Sequence, residues 1–293
     1  PLALGCIERA KRQVQRALLN GADLIVGLGY DTIEVEYEAW CGAVPILQID
    51  IEPVDTADSV TVLGELTGDL DSTLAASLAT PADTTAWTTT ELEEHRDGFQ
   101  RALRPVSDAA LVPHAAIDVV REALPDNGVL AFDVGAHTHQ IASQWSACNP
   151  KQFLITNGWS SMGFALPAAI AAKLANPELP VVALLGDGCF QMTCGELATI
   201  QRLGITLPVV VLDDRWLSLI QIKQTRRQLT HYGTALLPDR YASPPAHYFG
   251  VPAVGVHNKE ELKTALEAAL AADGPTVIEA KVDPDHYLET VFD

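Results

Sequence analysis

The 293 residues, 48% of them hydrophobic, are enough to bury a sizeable core in one large or two medium domains. The 38 Asp and Glu outnumber the 19 Lys and Arg, and the resulting net charge of −19 repels nucleic acid and anionic lipid, so neither is an expected partner. No run approaches the length of apolar sequence that a membrane-spanning helix needs.

In chain order, "ADLIVGLG" (22–29) and "VPILQIDIEP" (44–53) read as buried strands, each an apolar run closed by Gly or Pro. "DLDSTLAASLA" (69–79) has helical spacing and an acidic start, which completes a small α/β unit over residues 1–80. The Thr-rich "TPADTTAWTTT" opens a linker, 81–106, with a polar helix near 91–103. From 107 to 293 strands and helices alternate regularly: helix "PHAAIDVVREAL", strand "GVLAFD", a helix from Ala136, and the small-residue helix "MGFALPAAIAAKLA". The stretch "LLGDGCFQMTCGELATIQRLGITLPVVVLDD" (184–214) then reads as strand, helix, strand, with Thr193 and Glu196 as a capping box and Gly204 closing the helix. "NKEELKTALEAALAADG" is a helix capped by Asn258, and "PTVIEAKVD" a last strand. This alternation predicts an α/β protein whose parallel sheets are covered by helices. The basic clusters "RAKRQVQR" and "KQTRR" read as solvated faces. Five cysteines, an odd number without a C-x-x-C pair, fit buried or incidental thiols in a reducing cytoplasm. Acidity with so few lysines suits a salt-rich one.

Two features suggest chemistry. The first is Gly27-x-Gly29 after a strand, with Asp50 ending the next strand 21 residues on, close to a dinucleotide fingerprint. Thr32 stands where a third small residue belongs, and the helix start that follows is poor, so NAD is disfavoured. The second is the placing of carboxylates at the ends of neighbouring strands: Asp187 between Gly186 and Gly188, and Asp213-Asp214. A right-handed crossover brings both strand ends to one sheet edge, where open α/β sheets bind ligands. Glycines that let backbone N–H groups face an anion, beside bare carboxylates, make sense if a cation lies between them. The competing reading is that these aspartates only terminate strands.

"GDG", 24 residues and then a polar pair, together with "FDVGAHTHQIASQW", "GWSSMGFALPAAIAAKLANPELPVVALLGDGCFQM" and "VVVLDDRWLSLI", resembles the diphosphate-binding domain of thiamine-diphosphate enzymes of the acetolactate-synthase-like group. "ADLIVGLGYDTIEVEY", "PILQIDIEP" and "LTGDL" resemble the second half of their Rossmann-like central domain. The resemblance implies Mg²⁺ held by Asp187, Asp214 and the Trp216 carbonyl. It implies thiamine diphosphate held by His137 and by Gly186, Gly188 and Cys189. Met162 would wedge under the cofactor and bend it, and the Ser160 carbonyl would accept from its pyrimidine. His139 stays unassigned. The family usually has Asn-Asn at Asp213-Asp214 and often Gly at Ser218; the first change adds negative charge, the second leaves the substrate open.

The activity implied is decarboxylation of a 2-oxoacid followed by carboligation. Simple decarboxylation, 2-hydroxyacyl lyase chemistry and a non-catalytic cofactor-binding role are the alternatives. A flavin, FAD, on the central domain is a weaker expectation. The family's sites form between subunits, which implies a homodimer or homotetramer. Its activating glutamate lies in a pyrimidine-binding domain that no segment here resembles. Glu8, Glu34 and Glu36 stand in the wrong context, so no catalytic residue is assigned. The opening at Pro1, midway through a recognisable domain, favours removal of an N-terminal part over its supply by another polypeptide. The chain alone is then expected to bind cofactor weakly and not to turn over.

Overall fold

The computed structural model describes residues 2–30, 41–56, 58–79, 87–156, 158–236 and 243–291. It divides into two compact units, one of Pro1–Ile7 with Lys11–Arg101 and one of Glu8–Ala10 with Ala102–Asp293.

The smaller unit carries a three-stranded parallel sheet, β1 (Ile25–Leu28), β2 (Ile46–Asp50) and β3 (Val62–Thr67), in that order. Its helices are α1 (Arg12–Leu19), α2 (Leu70–Leu78) and α3 (Thr89–Ala102). Asp69 caps α2 by accepting from Ser72 N at 2.9 Å. Thr88 and Glu91 cap α3 reciprocally, at 2.8 and 3.2 Å. Gly27 pairs with Gln48 across the sheet, and a Cβ on Gly27 would strike the Gln48 amide. That glycine therefore serves strand packing in this structure. Glu34, Glu36, Thr32 and the first half of the Thr-rich linker lie outside the described residues.

The larger unit is built on a seven-stranded sheet, formed by β4 (Val129–Phe132), β5 (Phe153–Leu154), β6 (Val181–Gly186), β7 (Pro208–Asp213), β8 (His247–Tyr248), β9 (Val251–Val256) and β10 (Thr276–Lys281). Their order is β5-β4-β6-β7-β10-β9-β8, parallel throughout except for the β8–β9 edge. Alternation along each strand divides the core in two. Leu130, Val182, Val210 and Ile278 face α4 (Pro113–Ala123) and α10 (Lys259–Leu270). Val129, Val181, Val209 and Val277 face α6 (Ala165–Ala175) and α8 (Leu197–Leu203). Strands buried on both faces explain why they read as unbroken apolar runs.

The strand β6 runs directly into α7 (Asp187–Thr193), followed by a 3-10 turn at Cys194–Glu196 and then α8. The expected capping box at Thr193 is not formed. Thr193 Oγ1 instead bonds back to the Cys189 carbonyl at 3.4 Å, because the helix has already begun at Asp187. Gly204 does close α8, in the left-handed conformation (φ 62°). α10 ends at Leu270 with Ala271 as its cap, and Gly274 lies beyond it. The remaining helices are α5 (Ala136–Gln144), α9 (Ser218–Arg226) and the short α11 (His286–Thr290).

Candidate functional site

From β4 the chain goes to one side of the sheet, to β5, and then returns to β6 and continues on the other side. The crevice beyond the carboxyl ends of β4 and β6 is therefore the topological switch point, where open sheets take ligands. Asp133 ends β4 there. Fully buried, its carboxylate accepts from Val134 N at 2.8 Å and from Gly163 N and Ala165 N at 2.9 Å each. One side chain thus ties the "DVGAH" loop to the "SSMG" segment that opens α6.

His137 lies in this crevice, 5% exposed. Its ring bonds the Asp133 backbone carbonyl, and its Nε2 is buried without a partner. Two glycines make room for the ring: a Cβ on Gly135 would stand 2.8 Å from His137 Cε1, and one on Gly186 3.1 Å. Burial lowers the His137 pKa to about 4, against the pull of Asp133, so the imidazole is neutral at pH 7. His139 is engaged elsewhere, with Nδ1 2.7 Å from Glu8 Oε2.

Asp187 is the first residue of α7 and Asp214 follows the last residue of β7. Asp187 Oδ1 accepts from Gly188 N and Oδ2 from Arg215 N, both at 2.7 Å, which brings the Asp214 turn onto it. Asp214 in turn accepts from Trp216 N at 2.8 Å and Ser218 Oγ at 2.6 Å. Burial, then the neighbouring Asp214, pushes Asp187 up to about 8; burial pushes Asp214 up to about 6 despite its hydrogen bonds. Two desolvated carboxylates with pKa values raised above the usual range are what a divalent cation relieves. Among the described residues no cluster of three His, Cys, Asp or Glu is placed for a metal. Further oxygens would have to come from backbone, water or ligand. Trp216 forms an antiparallel bridge with Ala235. Its hydrogen bonds, Leu217 N to Thr234 O and Leu236 N to Arg215 O, do not use Trp216's own carbonyl.

The other expected residues gather at the same place. Met162 Cε stands 3.3 Å from where a Cβ on Gly188 would be, with Leu217 at 3.0 Å and Leu236 at 3.4 Å. Gly188 thus lies under a close apolar cover. Cys189 is buried and donates to the Val134 carbonyl at 3.1 Å, and burial drives its thiol far above the usual range. It is an inert thiol, and only its backbone is available to a ligand. Ser160, at φ 48°, turns the chain ahead of Met162, its hydroxyl on the Gly158 carbonyl at 3.3 Å.

Three residues of this region escape a reading of the sequence: Asp133, Lys281 and Tyr287. Lys281, at the end of β10, is ion-paired with Asp213. Tyr287 is buried among Ala136, Ile222 and Val291. Burial first, then Asp214 and Asp187, raises its phenol pKa. Asp133 has a signal, a carboxylate closing an apolar strand. The other two do not stand out until the last strand is placed beside β7.

Residues 133–280 match the family model described as thiamine pyrophosphate enzyme, C-terminal TPP binding domain. Curated relatives match along almost the whole chain. A probable acetolactate synthase large subunit of Methanococcus aeolicus is 25% identical, over 99% of this chain and 52% of its own length. The acetolactate synthase isozyme 2 large subunit of Escherichia coli K12 is 26% identical, over 97% and 52%. The catabolic acetolactate synthase of Raoultella terrigena is 29% identical, over 91% and 49%. The chain therefore spans about half the length of these relatives. With the matched model centred on the crevice that holds His137, Asp187 and Asp214, the chain belongs to the thiamine pyrophosphate enzymes, as an acetolactate-synthase-like member carrying their C-terminal TPP-binding domain.

Proposed function

We propose that this chain provides the diphosphate and metal half of an enzyme that decarboxylates a 2-oxoacid and joins the remainder to an acceptor carbonyl. The observation that carries the reading is the pair of a buried Asp187 and a half-buried Asp214 that repel each other at adjacent strand ends, with the orphaned Nε2 of His137 across the switch point. Asp187, Asp214 and the Trp216 carbonyl would hold Mg²⁺. His137 and the backbone of Gly186, Gly188 and Cys189 would hold the diphosphate. The Gly188 amide is turned to Asp187 Oδ1 in the structure described. Met162 would support the bent cofactor from the Gly188 side, and the Ser160 carbonyl would receive the pyrimidine amino group. When bound, thiamine diphosphate supplies the electron sink for breaking the carbon–carboxylate bond. The protein's part is to fix that group, exclude water around Met162, Leu217 and Leu236, and neutralise the diphosphate through the metal.

The proposal assigns the activating glutamate to a segment outside these 293 residues and the complete site to a homodimer or homotetramer. It also takes 1–80, 81–106 and 107–293 as central domain, linker and cofactor domain. Relatives named as acetolactate synthases favour carboligation over simple decarboxylation or lyase chemistry.

Metal binding tests the site directly. With folded-state pKa values raised to about 8 and about 6, these groups' contribution to stability is full below the ordinary carboxylate range. It is lost as pH rises through both values. A divalent ion must displace those protons, so Mn²⁺ affinity is expected to climb between about pH 5.5 and 8 with proton release. Electron paramagnetic resonance titration should show this, and Asp187→Asn should weaken binding at least about tenfold. Metal binding that ignores both pH and Asp187→Asn would remove the proposal. Product analysis with pyruvate, Mg²⁺ and thiamine diphosphate then separates the reaction types. Turnover by the 293-residue chain alone would refute the assignment of the glutamate elsewhere.

A further inference from the structure

Asp213 and Asp214 are consecutive carboxylates, yet their surroundings differ. Asp214 is bonded within its own turn to Trp216 N and Ser218 Oγ. Asp213 is the last residue of β7 and stands directly opposite Lys281 in the parallel β7–β10 register. Its Oδ2 is paired with Lys281 Nζ, while its Oδ1 is buried without a partner. Alternation places Asp213 on the face of Val209 and Val211, and Lys281 on that of Val277. Asp213 is 5% exposed, and the Lys281 side chain is 14% exposed. Lys281 has a second carboxylate near it, Glu279, at 3.9 Å. The Tyr248 hydroxyl donates to the other oxygen of that carboxylate, Glu279 Oε1, at 2.5 Å, and Asp213 is the nearer partner of Lys281. The charge of Lys281 also reaches Asp187, each favouring the other's charged form.

The Lys281 ammonium group thus lies beside Asp213 and Glu279, with its charge felt at Asp187. Without it, a divalent ion would meet three aspartates at the strand ends, and a diphosphate brought there would meet more negative charge. We propose that Lys281 is the built-in counter-cation of this site. It holds Asp213 out of the metal's coordination sphere, leaves Asp187 and Asp214 as the two carboxylate ligands, and offsets the charge that Asp213 adds. The inference rests on the metal-site reading above and assigns Asp213 and Lys281 as positioning residues.

Mn²⁺ titration of the full chain, followed by thiamine diphosphate binding at saturating Mn²⁺, tests it in Asp213→Asn, Lys281→Met and the double variant. Asp213→Asn leaves a bare cation beside Asp187, so Mn²⁺ should bind about tenfold more weakly. Lys281→Met leaves extra negative charge, so Mn²⁺ should bind tighter by a similar factor while thiamine diphosphate binds more weakly. The double variant should return to within about threefold of the wild type for both ligands. A pair that only braced two strands would lower the melting temperature in each single variant without moving metal affinity in opposite directions. If Lys281→Met does not fold, Asp213→Asn and the double variant still decide, because asparagine matches aspartate in shape. Unchanged or tighter Mn²⁺ binding by Asp213→Asn would overturn the role of Lys281 and leave the metal site standing. Failure of the wild type to bind Mn²⁺ would overturn both.

Discussion

A neutral imidazole carries one N–H, and in His137 it is spent on the Asp133 carbonyl. The buried Nε2 then presents a lone pair where an anion is expected. A diphosphate can be bound there once the ring takes a second proton, which the anion's charge favours and burial alone opposes. With the metal already bound, cofactor binding should therefore take up about one proton at pH 7, readable by calorimetry in buffers of different ionisation enthalpy. His137→Gln should abolish the uptake and weaken binding about tenfold; unchanged uptake would remove His137 from the site. At this scale the sequence was legible where chemistry coincides with a strand end. Asp187 and Asp214 announce themselves after apolar runs flanked by glycine or turn residues. Lys281 does not, since a lysine near the end of a last strand reads as solvated until β10 is placed beside β7 in register.

Elements give the site its shape by leaving space as much as by filling it. Gly135, at the start of α5, and Gly186, at the end of β6, border the His137 ring, so Gly186→Ala should push the ring by a few tenths of an ångström against a Cβ otherwise 3.1 Å away. The expected outcome is a folded protein, unchanged in circular dichroism, that binds thiamine diphosphate about tenfold less tightly; wild-type affinity would show that the ring has slack. The alternation of strand and helix was readable because β4, β6 and β7 are apolar runs. Two-residue strands such as β5 and β8 have no periodicity to read. β3 has mostly exposed side chains, and lacks the apolar run that marked its neighbours. The misplaced start of the helix after β6 has a physical reason as well. A capping box is a local pattern, whereas α7 begins where strand pairing stops, two residues after Leu185, with the Asp187 carboxylate at its positive end.

For the molecule as a whole, a net charge of −19 makes folding a contest between core burial and self-repulsion. Circular dichroism at low and at molar salt should show the fold strengthened by salt, with the unfolding midpoint rising as charges are screened. Equal stability in both would break the link between acidity and a salt-rich setting. Among the described residues no helix is long and apolar enough to cross a membrane. The order of the seven strands could not be read from the sequence, yet it decides where the crevice lies, because it is set by pairings between distant segments. The Asp133 carboxylate shows what that entails. It gathers amides some thirty residues apart into one knot, so no partly assembled chain can own the pocket. Ligand occupancy should then report the finished fold, and a gain in melting temperature on adding metal and cofactor would measure folding and recognition as one event.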